Sequence, residues 1–147
     1  MAYRILITTL IGIFLSITAL AEQSISYDDY TIHYSAFNTD TLSPEIAKSY
    51  QIQRSKNRIM VNLSVLKQQG QNDLGTSVKS TVTGTATNLA QQIRRLDLRE
   101  INESGAIYYI TDIAVNNEET LTFNFMITPD GEEKPYHLTF QQQFYTQ

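Results

Sequence analysis

The sequence predicts an all-β fold, an immunoglobulin-like antiparallel β-sandwich with one short helix. Apolar and polar residues alternate with period two over several segments, and turn-forming residues separate those segments. Such alternation is typical of strands that turn one face to a core and the other to water. The strands recur at roughly ten to fifteen residues, which suits a sandwich better than a βαβ fold.

Five alternating segments define the predicted core faces. In chain order these faces carry Tyr30, Ile32, Tyr34 and Ala36; Ile59, Val61, Leu63 and Val65; Val78, Ser80, Val82, Gly84 and Ala86; Leu121, Phe123, Phe125 and Ile127; and Tyr136, Leu138, Phe140 and Phe144. Residues 107–115, which are largely apolar, predict a more fully buried strand. Turn residues at 103–105, 116–117 and 129–131 predict a meander from about residue 94 to the end of the chain.

One helix is predicted near residues 43–50. Ser43 can cap its amino end, Pro44 fits the first helical position, and Glu45 favours the positive end of the helix dipole. The stretch 68–75, rich in Gln, Asn and Gly, is the most loop-like part of the chain.

Residues 1–21 have the pattern of a cleaved signal peptide. Arg4 gives a positive start, residues 5–19 are largely apolar, and Ala19-Leu20-Ala21 fits the small-x-small cleavage site. The apolar stretch of roughly 15–17 residues is shorter than the ~20 that span a bilayer, although an uncleaved anchor is the alternative. We expect export with cleavage, no membrane anchor afterwards, and a single domain over residues 22–147.

The composition excludes several classes of function. The chain has no cysteine, which excludes disulfides, thiolate nucleophiles, zinc–cysteine sites and a lipid-bearing cysteine, and favours a bacterial periplasm. Loss of Arg4 with the signal takes the net charge from −4 to −5. An acidic exported domain lacks the basic footprint that nucleic acid or an anionic membrane requires.

The histidines and methionines do not predict a catalytic or metal site. His33 and His137 both fall on polar strand faces, and no Gly-x-Ser-x-Gly turn is present. A copper site of the histidine–methionine kind would have Met60 and Met126 to draw on, but there is no His-x-Met or Met-rich run. Both methionines can equally fill gaps in a core.

The acidic loops do not predict a calcium site. One cluster lies at residues 116–119 and another at residues 130–133, with one strand between them. A strand carries the chain from one pole of a sandwich to the other, so the two clusters should lie too far apart to share an ion.

A basic cluster and two aromatic side chains are the candidate partner-binding residues. Arg54, Lys56 and Arg58 could grip an anionic group, or could be a solvated approach to the next strand. If Tyr109 and Phe144 are core, then their neighbours Tyr108 and Tyr145 face outward and are available to a partner. The alternative is that all four are buried.

Several short strings also resemble one known family. They are FNT at 37–39, YQIQRS at 50–55, NLSV at 62–65, GTATNL at 84–89, GAIYYI at 105–110 and FQQQFY at 140–145. In this order and spacing the chain resembles the exported bacterial proteins called domain of unknown function 4426, over nearly all of the mature chain. The resemblance implies a Gram-negative periplasmic protein, and it carries over no catalytic residues.

The leading functional prediction is a non-catalytic protein-binding or adaptor module that meets an envelope protein partner through an edge strand or the Tyr108 face. The alternative is a periplasmic small-ligand or metal-binding protein that uses residues 54–58 or the histidines. We assign no catalytic, cofactor-binding or metal-binding residues, expect no cofactor and no nucleic acid, and do not expect an enzyme. A concave pocket with convergent polar groups would favour the alternative.

Overall fold

The computed structural model describes residues 23–147. The predicted signal peptide, residues 1–21, lies outside the described residues. Within residues 23–147 no helix has the length and apolar character needed to cross a membrane.

The described chain forms two antiparallel sheets packed face to face. Their strands are β1 (Gln23–Tyr27), β2 (Tyr30–Asn38), β3 (Arg58–Lys67), β4 (Thr76–Ser77), β5 (Ser80–Asn88), β6 (Ile93–Leu96), β7 (Arg99–Glu103), β8 (Ala106–Ala114), β9 (Glu119–Pro129) and β10 (Tyr136–Phe144). Sheet A has the order β1-β2-β3-β8-β7, with β4 also paired to β3. Sheet B has the order β10-β9-β5-β6.

The core lies between the inward faces of the two sheets. On β3 the residues Ile59, Val61, Leu63 and Val65 are buried, and on β9 the residues Leu121, Phe123, Phe125 and Ile127 are buried. These are the core faces that the alternation predicts. Their burial removes apolar area from water, which stabilises the sandwich by about 25 cal/mol for each Å².

Polar contacts also tie the sheets together. Tyr109 on sheet A accepts a hydrogen bond from the backbone N–H of Ser80 on sheet B, at 2.6 Å. Burial raises the pKa of the Tyr109 hydroxyl. At one end of the sandwich, Arg94 donates to Glu119 on its own sheet at 3.0 Å and to the Ala114 carbonyl on sheet A at 2.6 Å. The edges of the two sheets are therefore held together by hydrogen bonds as well as by apolar packing.

The outer face of sheet A carries a second, smaller core. The helix α1 (Pro44–Ser49) follows a 3-10 turn at Thr39–Thr41. Ser43 caps α1 by accepting from the Ile46 N–H at 3.3 Å, as predicted. Buried Ile52, Met60 and Ile110 form this second core, against which Phe37, Leu42, Tyr50, Ile101 and Tyr108 pack. One face of sheet A is thus partly covered by the segment between β2 and β3.

The predicted sandwich with one short helix is confirmed, and so are the loop at 68–75 and the turn at 129–131. The predicted continuous meander is wrong. The strands β7 and β8 pair in sheet A, whereas β9 and β10 pair in sheet B, so the chain crosses between the sheets after β6 and again after β8. Turn residues mark where strands end, but they do not determine whether the next strand pairs with the last or packs across the core.

We expect Gly84→Ala to destabilise the fold by about 1–3 kcal/mol, because overpacking a tight core costs that much. A Cβ at position 84 would lie within 2.5 Å of Cε1 of Phe125, whose side chain is fully buried. Urea unfolding measures the loss. Gly70→Ala is the matched control, since nothing lies within 4 Å of its added Cβ. Equal stability of the Gly84→Ala variant and the wild type would contradict this packing.

Candidate functional site

The outward face of sheet B, here called the polar face, is not covered by another element of the described chain. Its residues follow from the strand register: Thr81, Thr83, Thr85 and Thr87 on β5; Ile93 and Arg95 on β6; Thr122, Asn124, Met126 and Thr128 on β9; and His137, Thr139, Gln141 and Gln143 on β10. All are exposed or half-buried. Met126 and Ile93 are the two apolar side chains among these fourteen.

The polar face contains an open concavity of about 710 Å³. It lies where β6 ends at Leu96 and the chain turns towards sheet A. The residues that line it are Val82, Thr83, Gly84, Thr85, Arg95, Leu96, Asp97, Leu98, Asn124, Phe125, Met126, His137 and Thr139. A concavity with convergent polar groups is typical of a small-ligand or metal-binding protein.

Met126 and His137 are direct cross-strand partners in this concavity. Such partners on one face of an antiparallel pair have Cβ atoms about 4.5–5.5 Å apart. The thioether of Met126 and the imidazole of His137 can therefore approach the same point above the sheet. Met126 is 48% exposed, so its side chain does not serve as core filling.

The side chains of the neighbouring cross-strand pairs form hydrogen bonds with each other, whereas those of Met126 and His137 do not. Thr139 donates from its hydroxyl to Oδ1 of Asn124 at 2.9 Å, and Gln141 donates to the Thr122 hydroxyl at 3.0 Å. Among residues 23–147 the imidazole of His137 has no hydrogen-bond partner, and neither does the Met126 sulfur. These two side chains are available to a ligand.

The backbone at His137 is held from the other sheet. The hydroxyl of Tyr27 on β1 donates to the His137 carbonyl oxygen. The Tyr27 ring also stacks on Tyr136, with ring centroids 4.8 Å apart. Burial and the charge of Asp28 raise the pKa of Tyr136, whose hydroxyl donates to the Asp28 carboxylate. This aromatic contact fixes the start of β10, and with it the position from which His137 projects.

The two histidines do not converge. By register His33 is on the outer face of sheet A, opposite Ser24 and Ser64, whereas His137 is on the outer face of sheet B. The prediction that both lie on polar faces is confirmed. In the part of the chain that the structure describes, no three or more His, Cys, Asp or Glu side chains are grouped as metal ligands. The acidic loops at 116–119 and 130–133 lie at opposite ends of β9, as predicted.

Four of the five predicted partner-binding residues are engaged in structural contacts. Arg58 donates to the Asp112 carboxylate at 2.6 and 2.9 Å, and Arg54 donates to the carbonyl of Asp40 at 2.9 Å. Tyr108 is half-buried against the second core, because the segment before β3 covers it. Tyr145 is exposed, and its hydroxyl donates to Gln143. Lys56 is exposed.

The structure brings only some of these five residues together. The side-chain amide of Asn38 donates to the carbonyls of both Lys56 and Tyr145, at 2.8 and 2.9 Å, so those two lie at one end of the sandwich. Arg58 begins β3 at that end, opposite Ala114. Tyr108 lies near the other end of β8, so the five residues do not form one continuous surface.

Comparison with known proteins identifies the family. The model of the domain of unknown function DUF4426 matches residues 24–147. The chain belongs to this family. A DUF4426 family protein from Pseudomonas aeruginosa is 28% identical, with a TM-score of 0.71, covering 84% of this chain and 94% of that one. The resemblance seen in the sequence is confirmed. The curated proteins gave no match.

Other solved structures share the fold at low identity. FetP of uropathogenic Escherichia coli is 10% identical, with a TM-score of 0.59 over 85% of this chain and 94% of that one. A copper-bound variant of Campylobacter jejuni P19 is also 10% identical, with a TM-score of 0.55 over 84% and 94%. A likeness at this identity is one of fold.

Sequence reasoning missed the Met126–His137 pair. Alternation assigns each residue to its own strand, but the pairing depends on the register of β9 with β10. The segment from Pro129 at the end of β9 to Pro135 before β10 also contains Gly131, so the turn signal leaves several registers open. If the turn residues had fixed the register of this hairpin, the sequence would have predicted that Met126 lies opposite His137.

Met60 and Met126 should differ sharply in their effect on stability. Met60 is 4% exposed within the second core, so Met60→Ala should cost about 2–5 kcal/mol. Met126 lies on the polar face and is 48% exposed, so Met126→Ala should change stability by less than about 0.5 kcal/mol. Urea unfolding of both variants makes the comparison. A large loss for Met126→Ala would mean that Met126 is a packing residue.

Proposed function

We propose that this protein binds a copper ion on the polar face of sheet B after export to the periplasm. Met126 and His137 are the ligands from the protein. The observation that carries the proposal is the cross-strand pairing of an exposed methionine with a histidine, both lining one concavity and both without a protein partner.

The chemistry of the two side chains favours copper over other metals. A thioether is a soft ligand that selects Cu(I), and imidazole suits copper in either oxidation state. Structural zinc sites use a tetrahedral set of cysteine, histidine or carboxylate ligands, and no such group occurs in the described residues. Calcium takes six to eight oxygen ligands, which this face does not provide together.

The fold neighbours support the proposal. A variant of FetP, 9% identical with a TM-score of 0.59, and a variant of P19 are both solved in copper-bound form. The same sandwich architecture therefore accommodates copper in other proteins. Because function resides in particular residues and not in the fold, the ligands proposed here rest on the positions of Met126 and His137 in this chain.

The proposal departs from the sequence-based expectation of an adaptor without metal. The adaptor role stays a prediction, and its residues Lys56, Arg58 and Tyr145 lie at one end of the sandwich. The polar face is concave and carries an unsatisfied ligand pair, which is the feature that sequence analysis associates with the alternative, a ligand- or metal-binding protein.

Copper affinity tests the proposal. Competition with a chromophoric Cu(I) chelator, under anaerobic reducing conditions, should give about one copper per chain for the wild type. Met126→Leu and His137→Gln should each weaken binding by at least roughly tenfold, since each removes a direct ligand. Cu(II) is titrated in parallel.

His33→Gln is the matched control, because it removes the other histidine from the opposite side of the sandwich. It should leave copper affinity unchanged. The proposal fails if the wild type does not bind copper, or if His33→Gln weakens binding as much as His137→Gln does. Circular dichroism of each variant checks that the fold is retained.

A further inference from the structure

Arg95 differs from the other arginines of the described chain. Four of the five donate a hydrogen bond to an acceptor in the protein: Arg54, Arg58, Arg94 and Arg99. Within residues 23–147 Arg95 makes neither a hydrogen bond nor an ion pair, and it lines the concavity. A guanidinium presents a rigid fork of donors that matches a carboxylate, so Arg95 is positioned to receive an anionic group.

The concavity also carries a charge of the opposite sign. Asp97 lines it two residues after Arg95, is exposed, and has no partner among the described residues. Its carboxylate would repel a simple anion, and the guanidinium of Arg95 would repel a simple cation. A ligand that carries both charges satisfies both side chains.

The strand register gives the distance between Arg95 and the copper ligands. Arg95 on β6 pairs with Thr85 on β5, and Thr85 pairs with Asn124 on β9. Asn124 lies two residues before Met126 on the same strand. The backbones of Arg95 and Met126 are therefore separated by about 10 Å across the sheet and about 7 Å along it. An ion held between Met126 and His137 would not touch the guanidinium, but a small molecule bound to that ion would.

We propose that the natural ligand of the concavity is a Cu(II) ion held in a small polycarboxylate chelate. Met126 and His137 bind the metal, the carboxylates of the chelator fill the coordination positions that these two side chains leave, and Arg95 receives a free carboxylate. This inference rests on the proposed function.

Equilibrium dialysis with radiolabelled citrate as the probe tests the inference. The exported protein is dialysed against citrate alone, against Cu(II) alone and against Cu(II) with citrate, and both copper and label are measured. The wild type should retain citrate only when copper is present. Arg95→Gln should reduce that retention by roughly tenfold and leave the binding of copper alone unchanged.

Arg54→Gln is the matched control, because it removes the same charge from an exposed arginine away from the concavity. It should retain citrate as the wild type does. If copper binds but citrate is not retained with it, the inference is wrong and the proposed function stands. Citrate retained without copper, or an equal loss in Arg54→Gln and Arg95→Gln, also overturns the inference. If neither Cu(I) nor Cu(II) binds, the proposed function itself fails.

Discussion

The register of β9 governs the rest of this structure. Its residues Leu121, Phe123, Phe125 and Ile127 are buried between the sheets, so the alternate residues must face outward. A slip of one residue would bury the polar set and expose four large apolar side chains, at a cost of several kcal/mol. The hydrophobic effect that forms the core therefore also determines which side chains form the polar face, and it fixes Met126 there.

The site is stabilised by contacts that are remote from the concavity. Tyr27 holds the backbone of His137 from sheet A, and Gly84 leaves room for the ring of Phe125 beneath the concavity. The two outer faces differ because the segment between β2 and β3 packs on sheet A, whereas the described chain places no element over sheet B. Packing thus leaves one face open to a ligand and occupies the other with apolar contacts.

Within residues 23–147 part of the charge is held in ion pairs. Arg58 pairs with Asp112 across β3 and β8, and Arg94 pairs with Glu119 within sheet B while donating to the Ala114 carbonyl of sheet A. Partly exposed pairs of this kind contribute about 1 kcal/mol or less each, so their main effect is to fix geometry. Arg95 and Asp97 both line the concavity, and within residues 23–147 neither has a hydrogen-bond or ion-pair partner. The chain thereby places charges of both signs beside a thioether and an imidazole side chain.

Alternation and capping are local and depend on neighbouring residues, so the sequence alone predicts the β-sandwich, its core faces and the helix after Ser43, and its short strings indicate the family. It also predicts that His137 lies on a polar face. The three-dimensional packing determines that β8 and β9 lie in different sheets, that Met126 opposes His137, and that Tyr108 is partly covered. Those outcomes depend on register and on sheet order, which are set by contacts between residues far apart in the chain, and no local pattern encodes them.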